Sequence, residues 1–294
     1  MLYRIAPGWA IEVEALEAAL AKLPFVPCGA TQPESFGWAP PRGDQHGALV
    51  ELVAGQRILR FVHESKAVPG AVVKRRLEER VALIEAQEGR KPGRKESRDL
   101  RDEIVQELLP MAFPRTASVL VWFDLEHGRL VLDCASQGKA DRLISALIEC
   151  LAGLRVSLLD TQVSPQAAMT QWLSGEADEW PAPFAPGHEV ELKSGDEMNS
   201  VVKFTRHPLV DEEMKRHIAQ GKLPTKLALD WDGRVSFMLT EGLQLKKVAF
   251  LDGVFEEQAG ADDQGGFDTD VAIATGELAA LITDLTAALG GEPD

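Results

Sequence analysis

Apolar positions along this chain change their period several times, and each change marks a predicted element. Residues 11–22 place Ile11, Leu16, Ala19 and Leu20 near one helical face, whereas 57–63 (RILRFVH) reads as a strand. From Ala71 to Glu88 the apolar residues Val73, Leu77, Val81 and Ile84 recur at helical spacing. Gly89, Pro92 and Gly93 break that pattern, and Ser97 to Leu109 resumes it with Ile104, Val105 and Leu108. A helical hairpin is the expected result. Beyond Pro110, Ser118–Leu125 and Arg129–Cys134 read as two strands joined through Glu126, His127 and Gly128, followed by a helix at 139–152 and a strand at 155–159. Strand, helix, two strands, helix, strand is the order of a split βαβ sandwich, with the hairpin at about 71–116 as an insertion.

Periodicity weakens over 174–188 (SGEADEWPAPFAPGH), which holds three prolines and marks the expected boundary between residues 1–173 and residues 174–294. The second part is richer in strands. Strands are predicted at 188–193 and 200–206, then a helix from Asp211 to Gln220 with an acidic first turn. A meander follows, in which Trp231-Asp232-Gly233-Arg234 is a tight hairpin signal between LALDW and VSFML. After a strand at 244–250, the chain closes with a strand at 270–274 and a helix at 276–289 carrying Leu278, Leu281, Ile282, Leu285 and Leu289 as an apolar stripe. The predicted class is α+β, with mixed helices and largely antiparallel sheets in two units.

At 294 residues and 45% hydrophobic content, the chain is long enough to bury a sizeable core and to hold two domains. Its longest apolar runs fall far short of the roughly 20 residues that span a bilayer, and MLYRIAPGW lacks the zones of a signal peptide, so no membrane association and a cytoplasmic location are expected. Cys28, Cys134 and Cys150 are odd in number with no CxxC, so all three are expected to be packing thiols, Cys134 inside a strand.

Charge changes the picture. The formal net charge is -15, yet Arg90 to Arg101 (RKPGRKESRDLR) hold six Arg or Lys against Glu96 and Asp99, a local balance of +4 that leaves -19 for the rest. Such a chain repels polyanions over about a Debye length, so a nucleic-acid partner must meet a local patch that outweighs the global field. The island falls at the turn and second helix of the predicted hairpin, where Arg94, Arg98 and Arg101 lie at i, i+4 and i+7 and share a face. Lys203, Lys222 and Lys226 are secondary cations near predicted strand ends, while Arg75, Arg76 and Arg80 stand near Glu78 and Glu79 and are expected to form helix surface pairs.

Catalytic chemistry is hard to find. Gly138-Lys139 lacks both the upstream glycine and the following Ser or Thr of a phosphate loop. His46, His63, His127, His188, His207 and His217 show no HExxH or other metal spacing, and GxSxG is absent. Neither catalytic residues, nor a metal, nor a cofactor is therefore expected. Asp124 and Asp133 on the 118–134 hairpin are the one carboxylate pair that a two-metal nuclease would use. Trp122, Phe123, Trp231 and Phe237 fall in apolar strand patterns and are assigned to the core. Phe113 differs, because it sits in a loop between Pro110 and Pro114 and is either a protein contact or a plug for its own core.

Several strings resemble the bacterial RdgC family of recombination-associated proteins. They are Phe25-Val26-Pro27-Cys28-Gly29 with Gly37-Trp38 and Pro40-Pro41, Leu108-Leu109-Pro110 with Ala112-Phe113, and Asp133-Cys134-Ala135-Ser136, then Thr225 to Trp231 (TKLALDW) and Thr275 to Ile282 (TGELAALI). They occur in order over nearly the whole chain. The resemblance implies a nucleoid-associated, non-enzymatic protein that binds double-stranded DNA with little sequence preference as a ring-shaped homodimer and restrains RecA-dependent recombination. It places Arg90, Lys91, Arg94, Lys95, Arg98 and Arg101 where the family has a Lys-rich stretch, and matches Phe113 to a phenylalanine at a subunit contact. Arg206 and His207 fall where relatives carry Lys and Gln near that contact, and an imidazole of ordinary pKa gains charge near about pH 6.5. Pro92 and Gly93 interrupt the basic stretch, and the N-terminus is shorter than is usual in the family. An acidic scaffold acting on the recombinase by protein contact, and a metal-dependent nuclease, are the alternatives.

Overall fold

The computed structural model describes residues 1–43, 47–176, 179–195, 200–209, 211–255 and 266–293; His46 lies outside them. Along the chain the elements are β1 (Leu2–Ile5), α1 (Val13–Leu20), β2 (Glu34–Ala39), β3 (Val50–Val53), β4 (Gln56–Lys66), α2 (Gly70–Glu88), α3 (Arg94–Leu108), a 3-10 turn (Leu109–Met111) and β5 (Pro114–Asp124). Then follow β6 (Arg129–Leu132), α4 (Gln137–Cys150), β7 (Val156–Leu158), α5 (Pro165–Ser174), β8 (Phe184–Ser194), β9 (Val201–Thr205), α6 (Glu212–Ala219), β10 (Lys222–Trp231), β11 (Val235–Thr240), β12 (Leu245–Phe250) and α7 (Phe267–Ala288). The described residues thus form an α+β protein with two antiparallel sheets. Two compact units share the chain: one holds residues 1–13, 50–58 and 121–294, the other 14–49 and 59–120.

In the first unit β1 is antiparallel to both β6 and β7, with Tyr3 opposite Leu130 on one side and Leu158 on the other. β6 and β7 therefore run parallel, joined by α4, with β1 filling the gap between them. This is a split βαβ arrangement, but its middle strand is β1, which the hydrophobic pattern did not reveal. Cys134 lies beyond the end of β6 and not inside a strand, and its Sγ donates to Ser136 O at 3.3 Å.

The other sheet of this unit has the order β12-β11-β10-β8-β9. Asp232 and Gly233 both take positive φ (54° and 64°) and turn β10 into β11 as the Asp-Gly signal requires. One face of the sheet packs Val190, Leu192, Leu227, Leu229, Trp231, Phe237 and Leu239 into a core with α5 and α7. α5 escaped the sequence reading, although Ser164 caps it by accepting from Ala167 N at 3.3 Å and Pro165 occupies its first turn.

α7 corrects another expectation. The segment 270–274, expected as a strand, belongs to a single 22-residue helix. Ile273, Leu281, Ile282 and Leu285 of that helix are buried, and Thr275 satisfies its hydroxyl on Val271 O at 2.7 Å. Burial of one continuous stripe outweighs the β-propensity of three residues. α7 is long and apolar enough to cross a membrane by length and composition. Its polar groups are nevertheless tied into the unit: Arg234 donates to both Glu277 oxygens (2.6 and 2.9 Å), and Trp231 Nε1 donates to Asp284 at 2.9 Å.

In the second unit β2 pairs antiparallel with β4, and residues 23–25 lie against β2 through Phe25 N to Trp38 O (2.8 Å) and Trp38 N to Leu23 O (2.9 Å). Glu64 on β4 is buried and accepts from Cys28 N at 2.8 Å and Thr116 Oγ1 at 3.0 Å. The Cys28 amide foremost, with the Thr116 hydroxyl, holds that carboxyl below its ordinary range against the cost of burial. α2 and α3 pack on each other, each with one buried residue (Val73 and Ile104), and are clamped by Arg80, which donates to both Glu107 oxygens (2.5 and 2.7 Å) and to Glu103 at 3.5 Å. Arg80 thus reaches across the hairpin instead of pairing along its own helix.

A Cβ on Gly37 would lie 2.6 Å from Phe25 N and from Pro24 C, both backbone atoms. Gly37→Ala is expected to cost about 2–4 kcal/mol in urea unfolding. Gly138→Ala, where a Cβ meets nothing within 4 Å at the start of α4, should be neutral or slightly stabilising.

Candidate nucleic-acid interface

The six cations of the 90–101 island do not share one environment. Arg90 donates to both oxygens of Glu96 (2.8 and 3.1 Å) and also meets Glu88 at 2.8 Å, while Lys91 stands 3.8 Å from Glu85. Glu96 also accepts from Gly93 N at 3.3 Å, so the Arg90 pair is part of the device that starts α3 after the Pro-Gly break. Arg94, Lys95, Arg98 and Arg101 are exposed, and none has a carboxylate within 4.0 Å among the described residues.

Helical geometry sorts the charges of α3. Arg94, Arg98 and Arg101 form one stripe and Ile104 faces the core, while around the helix axis Asp102 lies about 75°, Asp99 about 130° and Glu103 about 170° from the middle of that stripe. Asp99 and Asp102 follow Lys95 and Arg98 at i, i+4, yet among the described residues no carboxylate closes to within 4.0 Å of either cation, so the stripe forms no close ion pair on its own helix. On α2, by contrast, Lys74 pairs with Glu78 (3.9 Å) and Arg75 and Arg76 with Glu79 (3.9 and 3.4 Å), as their spacing predicts.

Lys203 and Lys226 come together on the five-stranded sheet, where each stands 2.9 Å from Glu191, which also accepts from Thr225 Oγ1 at 2.9 Å. The Lys203 and Lys226 ammonium groups hold the Glu191 carboxyl down at about 2. The two lysines and one carboxylate leave a single net positive charge. They line a cleft of about 430 Å³ with Glu189, Lys246 and Lys247, and Lys247 is itself bound to Glu189 at 2.6 Å. Lys222 lies apart from this cleft and faces His217 Nδ1 at 3.2 Å.

Phe113, between the 3-10 turn and β5, is 90% exposed, with Met111 exposed beside it in the chain. A groove of about 410 Å³ lined by Leu83, Ile104, Leu108 and Met111, and rimmed by Arg76, Arg80, Glu79 and Glu107, opens between α2 and α3. The reading of Phe113 as a plug for its own core is therefore overturned. Arg206 and His207 follow β9, Arg206 in the left-handed region at φ 56° and His207 with its ring 5.3 Å from that of Phe204.

The carboxylate pair of the nuclease alternative does not converge. Asp124 is fully buried, opposite Arg129 in the ladder, and spends its oxygens on the His127 amide (3.2 Å) and ring Nδ1 (2.9 and 3.0 Å). Exposed Asp133 lies four positions beyond Arg129, about 13 Å along the strand.

Comparison with known proteins identifies similarity over the whole chain. A family model described as "Putative exonuclease, RdgC" matches residues 1–292. The protein named Recombination-associated protein RdgC from Dechloromonas aromatica is 43% identical over 298 residues, covering 99% of this chain and 96% of that protein. Proteins of the same name from Cupriavidus necator and Herminiimonas arsenicoxydans are 42% and 41% identical over 293 residues, covering 99% of this chain and 97% and 96% of their own.

Glu191 gives a pH prediction with a definite sign. A carboxyl held at about 2 in the folded chain and near 4.5 when unfolded adds stability that is complete above pH 4.5 and lost as pH falls towards 2. Urea unfolding at a series of pH values should therefore show the gap between the native chain and Glu191→Gln constant at neutral pH and closing through that acid window.

Proposed function

Because the chain belongs to the RdgC family of recombination-associated proteins, we propose that it binds double-stranded DNA without reading its sequence, as a homodimer, and restrains RecA-dependent recombination by occluding the duplex. The observation that carries this reading is the stripe of Arg94, Arg98 and Arg101 with adjacent Lys95, exposed and, among the described residues, with no carboxylate within 4.0 Å, in a chain of net charge -15. Phosphate contacts supply affinity that is indifferent to sequence, and a row of cations on one helix face suits a phosphate backbone better than base edges. Arg90 and Lys91 play a lesser part, since their nearest carboxylates already hold them. Lys203 and Lys226 contribute at most the one net charge that Glu191 leaves them.

Dimerisation through Phe113 is the second element of the proposal. A phenylalanine this exposed is costly in water, and the apolar-floored groove between α2 and α3 is a receptacle that a second copy of the chain offers in return. The ring form and the contact at Arg206 and His207 follow from the family resemblance.

Four free cations per chain give eight phosphate contacts in a dimer, so the log–log salt dependence of binding to a random-sequence duplex should have a slope of about -7. Changing Arg94, Lys95, Arg98 and Arg101 together to Gln should collapse that slope, whereas Arg90→Gln with Lys91→Gln should alter it by less than about one. Binding that survives the fourfold change would move the interface elsewhere, and loss of recombinase inhibition without loss of DNA binding would favour a protein scaffold. In sedimentation velocity, Phe113→Ala should weaken self-association by about tenfold or more while leaving unfolding unchanged.

A further inference from the structure

Between the end of β9 and the first turn of α6, one ring nitrogen of His207 and one carboxylate oxygen each from Asp211 and Glu213 lie within 4.8 Å of one another. We propose that these three residues bind a divalent first-row transition metal of the Zn²⁺ type.

The positions of the donors are set by neighbours that do not compete for the ion. Asp211 is the N-cap of α6 and spends Oδ1 on Met214 N at 2.8 Å, which leaves Oδ2 directed at the imidazole, 3.7 Å from His207 Nδ1. His207 donates Nδ1–H to Pro208 O at 2.6 Å, which leaves Nε2 as the nitrogen able to bind an ion, and its ring lies tilted against that of Phe204. Glu213 projects from the first turn of α6 and is exposed. Neither Asp211 nor Glu213 has a lysine or arginine within 4.0 Å among the described residues, although Lys215 on the same helix is drawn to Glu176 at 2.6 Å. Two carboxylates without a cation partner beside an imidazole form a site that a dication completes electrostatically.

The donor set decides the metal class. One imidazole nitrogen with two carboxylates suits borderline cations such as Zn²⁺, whereas Mg²⁺ and Ca²⁺ prefer oxygen alone. Three protein ligands leave the remaining coordination to solvent. Occupancy would tie the chain leaving β9 to the start of α6 and cancel two negative charges there. Spacing did not reveal the site, because His207, Asp211 and Glu213 match no helical motif; the helix starts only after Asp211.

The test is a calorimetric titration of the full chain with Zn²⁺, beside His207→Ala, Asp211→Asn and Glu213→Gln. Asparagine keeps the oxygen that caps α6, so Asp211→Asn separates a lost ligand from a lost cap. The native chain should take up one ion, and each variant should bind about tenfold or more weakly. Co²⁺ in place of Zn²⁺ should show weak visible absorption without the intense thiolate band that Cys28, Cys134 or Cys150 would give. Variants that bind as the native chain does, a thiolate band, or no uptake by the native chain would each overturn the proposal.

Discussion

Forty-six carboxylates against 31 lysines and arginines are the constraint under which every cation of this chain operates. A cation within reach of a carboxylate loses most of its pull on an outside anion, so availability depends on what the fold keeps apart. α2 cancels its cations along its own surface, Arg80 is spent in clamping α3, and Arg90 in starting it. The sheet lysines surround Glu191. Within the 90–101 island what remains is a short stripe on α3, whose neighbouring carboxylates come no closer than 4.0 Å among the described residues. The functional reading therefore rests less on how many basic residues the island holds than on which of them the structure leaves unspent.

Long periodic segments were legible from the sequence because burial of a helix stripe needs a regular pattern. The α2–α3 hairpin, α4, and the β10–β11 turn at Asp232-Gly233 belong to this group. Failures came where the signal was short or divided. β1 has four residues, too few to show alternation, yet it sits at the centre of the split βαβ arrangement because β6 and β7 both need a partner. The first turns of α7 carry Val271, Ile273 and Thr275, whose local preference is for strand, and only packing of the whole helix against the sheet decides otherwise. Ser164-Pro165 was a readable start for α5 that the weak pattern around it obscured.

The candidate site divides in the same way. Its basic stripe is a local property of one helix and could be read from i, i+4 and i+7 spacing. Its pairings are non-local. Nothing in the order of residues tells that Lys203 and Lys226, on strands separated by β8, converge on one glutamate, or that Arg90 turns back to Glu96 across a proline–glycine break. Exposure of Phe113 was half legible: two flanking prolines deny it a place in a helix or central strand, but only the folded chain shows that its own core does not receive it.

Charge sorting on α3 has a kinetic side as well. A helix with arginines on one flank and aspartates and glutamate on another carries an electric dipole across its axis, in addition to the one along it. In the field of a large polyanion such a transverse dipole exerts a torque that turns the arginine flank forward before any contact forms. On the proposed reading the acidic residues of α3 would thereby shape encounter: they would make the wrong approach unfavourable, so that a chain repelled on average would meet a polyanion in one orientation.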